Sequence, residues 1–122
     1  MSQSRQSLGR WGEKLAADFL NEHGYIVLEK NVRTPYGELD LVTRQGEVIV
    51  FVEVKTRTSS VFGYPEEAIT TRKQEHLLAS AEDYLQAHPE LSGDWRVDVI
   101  SIECTSSEGT PEIKHFENAI FV

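Results

Sequence analysis

The chain has 122 residues, 39% hydrophobic and 26% charged, with a formal net charge of −8. That length fits one domain with its own core, expected over residues 1–122, and the composition is that of a globular protein in water. No apolar run approaches a membrane span, Met1-Ser2-Gln3-Ser4-Arg5-Gln6 holds no apolar signal core, and the single Cys104 excludes an intrachain disulfide or a cysteine zinc site, so a cytoplasmic setting is expected, with no membrane partner.

Ser7 to Glu22 is expected as a helix. Leu8, Leu15 and Phe19 recur at helical spacing, with Trp11, Ala16 and Leu20 to one side. Ser7 suits an N-cap, and Gly24 suits the C-terminal stop after Asn21-Glu22-His23. Glu13 falls at the edge of the apolar stripe, where a surface glutamate is the default. Tyr25 to Val32 reads as a first strand, with Tyr25, Val27 and Glu29 opposite Ile26, Leu28 and Lys30. Asn31 to Gly37 turns the chain into a second strand, Gly37 to Val42. Arg44-Gln45-Gly46-Glu47 is polar with one glycine and predicts a hairpin connection to a third strand, Val48 to Lys55. Three consecutive strands of this kind make an antiparallel meander.

The third strand is unusual. Side chains alternate between the faces of a strand, so Ile49, Phe51, Glu53 and Lys55 share one face, opposite Val48, Val50, Val52 and Val54. It is apolar on both faces, the mark of an interior strand, and then ends in a carboxylate and an ammonium. On the second strand, Glu38, Asp40 and Val42 share a face, and Leu39 and Leu41 take the other. If Asp40 lies across from Glu53, two carboxylates and a lysine converge. Like charges that close repel unless a cation lies between them. Hard oxygen ligands of this kind suit Mg²⁺ or Mn²⁺, with Lys55 placed to polarise a water or the phosphate it attacks. The same residues also fit an ordinary cross-strand ion pair on a solvated face, and both readings stand at this point.

Beyond the third strand, Thr56 to Pro65 is a polar loop holding Phe62 and Tyr64, which suit base stacking or packing on the next helix. Pro65-Glu66-Glu67-Ala68-Ile69 suits a first helical turn. Thr71 to His88 predicts a second long helix with Leu77, Leu78, Ala81, Tyr84 and Leu85 on its apolar side, Thr71 as cap and Pro89 as stop. Its start places Arg72 and Lys73 beside a helix N-terminus, a fair phosphate site. His76 and His88 are expected at the surface or in packing. Trp95 to Glu103 alternates as a fourth strand, reached through a helix and so parallel to the third. Asp98 is read as an isolated structural acid. After a loop from Thr105 to Pro111, Glu112 to Phe116 gives a short last strand, in which His115 is assigned no chemistry.

The element order is αβββαββ, an α/β fold with a mixed central sheet flanked by helices. Neither a P-loop nor a dinucleotide-binding glycine motif occurs, and no serine elbow or Cys-His pair suggests acyl transfer. The net charge of −8 argues against nucleic acid at first sight. The charge is unevenly spread. Through Lys73 there are ten basic and ten acidic residues, and from Gln74 onward two basic and ten acidic. With Glu13, Asp40 and Glu53 neutralised by a metal, Arg5, Arg10, Lys14, Arg33, Arg44, Arg57, Arg72 and Lys73 are left to face a phosphate backbone; a dispersed solvated surface fits the same residues.

Asp40, a spacer of about a dozen residues, then Glu53-Val54-Lys55 resembles the D…(D/E)-x-K signature of the restriction-endonuclease-like, PD-(D/E)xK, nuclease superfamily. The wider string is more specific. Gly12-Glu13-Lys14-Leu15-Ala16, Gly24-Tyr25, Asn31-Val32-Arg33, Gly37-Glu38-Leu39-Asp40-Leu41 and Phe51-Val52-Glu53-Val54-Lys55-Thr56-Arg57 resemble the YraN-like uncharacterised bacterial family, from about Leu8 to Ala119. Holliday-junction resolvases are similar in layout. The superfamily often has Pro before the Asp, where Leu39 stands here.

The resemblance implies an endonuclease-like core and a Mg²⁺- or Mn²⁺-dependent nuclease acting on branched or single-stranded DNA in recombination or repair. Asp40 and Glu53 would hold the metal, Glu13 would join them from the first helix, and Lys55 would act on the water and phosphate. Glu38 and Gln74 would support this set, and Arg10, Lys14, Arg33, Arg57, Arg72 and Lys73 would meet DNA. A homodimer, or a helicase or recombination partner, would fit such a nuclease. The alternative is a non-catalytic or partner-dependent nucleic-acid-binding protein with the same fold.

Overall fold

The computed structural model describes residues 5–57, 69–104 and 109–121. These form helix α1 (Arg5–Glu22), strands β1 (Ile26–Thr34), β2 (Gly37–Gln45) and β3 (Val48–Arg57), helix α2 (Thr71–Ala87), and strands β4 (Trp95–Glu103) and β5 (Glu112–Ile120). The sequence order αβββαββ is the observed one. The expected loop residues Phe62 and Tyr64, the turn at Pro65, and most of the loop after Cys104 lie outside the described residues.

The five strands form one sheet in the order β1-β2-β3-β4-β5. Neighbours pair antiparallel except β3 and β4, which run parallel from Ile49↔Trp95 to Arg57↔Glu103. Antiparallel neighbours need only tight turns, whereas the parallel pair needs a crossover, and α2 lies within it. The β2–β3 turn is shorter than the sequence suggests. Gln45 pairs with Val48, so only Gly46 and Glu47 bridge the strands, and Gly46 takes the left-handed φ of 59°.

One helix covers each face of the sheet. Leu77, Ala81 and Tyr84 of α2 pack with Val42, Ile49, Phe51, Val97 and Val99. Ala16, Ala17 and Leu20 of α1 pack with Leu41, Val50, Val52, Ile100 and Ile102 on the other face. β3 and β4 split their side chains between the two cores, which is why β3 reads as apolar on both faces. Burying one such side chain contributes about 1.5–3 kcal/mol, so the interior strands anchor the whole molecule. Among the described residues, no helix is long and apolar enough to cross a membrane.

Several local readings change. The α2 cap is Thr70, whose side chain accepts from the backbone N–H of Lys73 at 3.1 Å; Thr71 is the first helical residue. β5 continues to Ile120 past an irregularity beside Asn118, whose φ is 50°. β1 begins at Ile26, and its ladder slips between Val27 and Glu29. The alternation also breaks in β2: Leu39 joins the α2-side core with Val42, while Leu41 joins the α1-side core. A strict period of two would have put Leu39 with Leu41. The break falls at Asp40, where β2 leaves β3.

Candidate functional site

The ladder between β2 and β3 runs from Gln45↔Val48 to Leu41↔Val52 and stops there. The ladder between β3 and β4 continues to Arg57↔Glu103. The last part of β3 therefore has an open edge on the β2 side. Its first backbone donor on that edge, the N–H of Val54, donates to the Asp40 carboxylate Oδ2 at 2.9 Å. A side chain thus takes the place of a strand carbonyl, and it fixes Asp40 across from Glu53, as the register predicts.

Glu53 is 5% exposed. Burial, then the nearby Asp40 charge and a hydrogen bond with Asp40, push its carboxyl up to about 8, against the lowering influence of Lys73 and Lys55. Lys73 Nζ stands 3.8 Å from Glu53 Oε2. That is an ion-pair distance and too long for a hydrogen bond. Accordingly, Glu53 Oε2 has no hydrogen-bond partner among the described residues. Lys55 is half-buried and close enough to bear on Glu53. The structure thus brings Asp40, Glu53, Lys55 and Lys73 together.

Glu13 approaches from the other helix. Gly12 is buried against β3, and a Cβ there would collide with the Thr56 hydroxyl, so only glycine lets α1 lie this close to the strand. The next residue, Glu13, is half-buried, and its carboxyl is raised by burial and by the charge of Asp40, with Glu38 adding to it. Asn31, with its amide nitrogen toward the acids, donates to Glu13 Oε1 at 3.0 Å and to Glu38 Oε1 at 3.2 Å. Its φ of 52° is left-handed, a conformation asparagine tolerates better than most residues. Asn31 lies between β1 neighbours paired with Leu41 and Leu39, opposite Asp40.

Two residues in this constellation escape sequence reasoning. Lys73 reads from sequence as a DNA contact, and nothing in the local pattern links it to Glu53. Asn31 carries one usable signal, an asparagine inside an otherwise extended run. Gln74 is next to Lys73, but its side-chain amide donates to the Ile69 carbonyl at 3.0 Å. Glu38 is 3.9 Å from exposed Arg33. Arg10, Lys14 and Arg72 are exposed, and Arg57 is half-buried at the end of β3.

Mg²⁺ and Mn²⁺ are hard cations that take oxygen donors. A buried carboxylate oxygen with no bonded partner, beside a second carboxylate, is the chemistry a hard cation completes, so Asp40 and Glu53 fit. Among the described residues, no three Asp, Glu, His or Cys side chains surround one point closely enough to hold a metal as they stand. Glu13 is engaged with Asn31 instead.

A second polar cluster lies under α1. Asp98, 0% exposed, accepts from Arg96 Nε at 2.9 Å and from the Asn118 N–H at 2.8 Å, and its Oδ2 is 2.8 Å from His115 Nε2. Arg96 also donates to the Tyr25 hydroxyl and to Gln45. Asp98 is therefore not isolated, and His115 has an acidic partner that sequence spacing did not reveal. These bonds hold the Asp98 carboxyl below its ordinary range despite burial.

Comparison with known proteins gives a consistent group of relatives. The model of the uncharacterised protein family UPF0102 matches residues 12–102. A UPF0102 protein of Dehalococcoides mccartyi is 40% identical over 98% of both chains. One from Syntrophomonas wolfei is 48% identical over 93% of this chain and 97% of its own. One from Syntrophotalea carbinolica is 43% identical over 100% and 98%. Among solved structures, SfsA of Pyrococcus furiosus in complex with Ca²⁺ matches with a TM-score of 0.47 and 13% identity, over 93% of this chain and 65% of that one.

Proposed function

The chain belongs to the uncharacterised protein family UPF0102, and from that premise and the geometry of β3 we propose that it is a metal-dependent phosphodiesterase that cuts DNA. The observation that carries this reading is Glu53: a buried carboxylate with an unpartnered oxygen, set against Asp40 where two strands part. A fold selected for stability alone avoids that arrangement, because a buried polar oxygen left without a hydrogen bond is costly. The resemblance of Asp40…Glu53-Val54-Lys55 to the PD-(D/E)xK signature supports it.

In this reading Asp40 and Glu53 hold Mg²⁺ or Mn²⁺, and Glu13 joins them after leaving Asn31. The bound ion supplies Lewis acidity toward the phosphate and lowers the pKa of a bound water. Lys55 orients the attacking water and balances the charge that builds on the phosphate. Glu38 holds Glu13 through Asn31. The substrate class is branched or single-stranded DNA of recombination and repair, and Arg10, Lys14, Arg33, Arg57 and Arg72 meet its backbone.

The deciding experiment offers labelled duplex, single strand, flap and four-way junction with Mn²⁺ or Mg²⁺ to the wild type, Glu53→Ala and Lys55→Met. Cleavage by the wild type alone is expected. Equal cleavage by all three proteins would reject the assigned site. The absence of a ready three-ligand cluster among the described residues favours a second reading, a DNA-binding subunit that cuts only with a helicase or recombination partner, or not at all. Metal-independent DNA binding without cleavage would establish it.

A further inference from the structure

The first turn of α2 breaks the usual charge rule for helices. Helix N-termini carry partial positive charge and favour acids. This one has no acidic residue in its first turn and begins Thr71-Arg72-Lys73. Its Lys73 amide is capped by Thr70, so the backbone around Lys73 is fixed. The side chain is 41% exposed and reaches a carboxylate that is 6% exposed. The ammonium faces the Glu53 carboxyl without bonding to it, since 3.8 Å leaves Oε2 without a hydrogen-bond partner among the described residues. A lysine placed against the helix preference, on an oxygen it does not satisfy, is a counter-ion poised to leave.

We propose that Lys73 holds the place of a divalent cation on Glu53, and that loading the site releases Lys73 to contact a phosphate of the bound DNA strand. This rests on the phosphodiesterase reading above and adds an exchange step to it. Arg72 precedes Lys73 in the same first turn of α2, and a helix N-terminus with positive charge favours phosphate. Before loading, the Lys73 ammonium is the positive charge that faces the Glu53 carboxyl. After loading, the same charge becomes available to substrate. Lys73 is then a competitor for the site and a ligand for DNA, two roles with opposite signs.

Isothermal titration with Mn²⁺ alone tests the first role. Lys73→Met is expected to bind Mn²⁺ at least 5-fold more tightly than wild type, because no ammonium competes for Glu53. Its Tm in EDTA should fall and recover more than that of the wild type when Mn²⁺ is added. Lys73→Arg, which retains the charge, should stay near the wild-type affinity. Lys114→Met removes the same charge from β5 and should leave Mn²⁺ affinity unchanged. For the second role, Lys73→Met loaded with Mn²⁺ should bind single-stranded DNA at least 5-fold more weakly. Unchanged or weaker Mn²⁺ binding by Lys73→Met would overturn the exchange while leaving the metal site intact. Wild type that binds no Mn²⁺ would overturn both the exchange and the phosphodiesterase reading.

Discussion

The N–H of Val54 bonds to Asp40 Oδ2 at 2.9 Å on the rung just past the last β2–β3 pair. Asp40 is thus structural, and in the proposed function a metal ligand as well. Asp40→Ala leaves that donor without its acceptor and is expected to cost about 1–3 kcal/mol. Asp40→Asn keeps an oxygen acceptor and should retain most of that stability in EDTA. Both variants should lose the rise in Tm that Mn²⁺ gives the wild type. Thermal melts with and without Mn²⁺ check this, and equal losses in EDTA would show that the bond contributes nothing.

Glu53 is expected to make the protein lose stability as pH rises from about 5 to about 8. The ordinary value for this carboxyl is 4.5, and the folded protein holds the proton to about 8. Between those values the folded state binds more protons than the unfolded state, so stability falls as pH rises. Glu53→Gln has no such proton. In EDTA it should gain on the wild type from pH 5 to pH 8, by about 1–3 kcal/mol. Denaturation midpoints at the two pH values measure the difference; parallel curves would show that Glu53 ionises as freely as an exposed acid.

Two glycines on α1 should respond oppositely to alanine. A Cβ at Gly9 meets nothing within 4 Å, so Gly9→Ala should stabilise the helix by about 0.5–1 kcal/mol. A Cβ at Gly12 would collide with the Thr56 hydroxyl and lie 3.1 Å from the Thr56 Cβ. Gly12→Ala should therefore destabilise by about 1–3 kcal/mol, with partial recovery in Gly12→Ala/Thr56→Ala. Urea midpoints of the four proteins test the pair. A stabilised Gly12→Ala would mean that α1 sits further from β3.

Asp98 is expected to be a stability residue with no part in metal binding. Its pKa is lowered in the folded state, so its contribution is present above its ordinary value of 3.8 and is lost as pH falls below it. Asp98→Asn removes the charge facing Arg96 and His115 and should cost about 3–5 kcal/mol at neutral pH. Its Mn²⁺ affinity should match the wild type. Loss of Mn²⁺ binding in a folded Asp98→Asn protein would refute the separation of the two clusters.

The element order, the meander, the parallel fourth strand and the α2 apolar face were legible because each rests on a period in the sequence. Val50 and Val52 opposite Ile49 and Phe51 is one such period. Asp40 across from Glu53 was only a conditional reading, because the four-residue turn expected at Arg44 to Glu47 sets a different register from the two-residue turn observed. What escaped reading were single-residue breaks in period. The left-handed Asn31, the slip after Val27 and the turnover of Leu39 each shift one residue and reassign the faces beyond it. Contacts between distant segments escaped too. Lys73 on Glu53, and His115 on Asp98, depend on how α2 and β5 dock, and no local spacing encodes that.

The parallel pairing of β3 with β4 also sets when the site is assembled. Asp40 and Glu53 belong to one hairpin, whose closure is local and fast. The strand that buries Glu53 and the lysine that balances it arrive only when the long crossover closes. Until then both acids are hydrated and repel each other weakly. The electrostatic cost of burying the two acids therefore falls on the non-local step of folding.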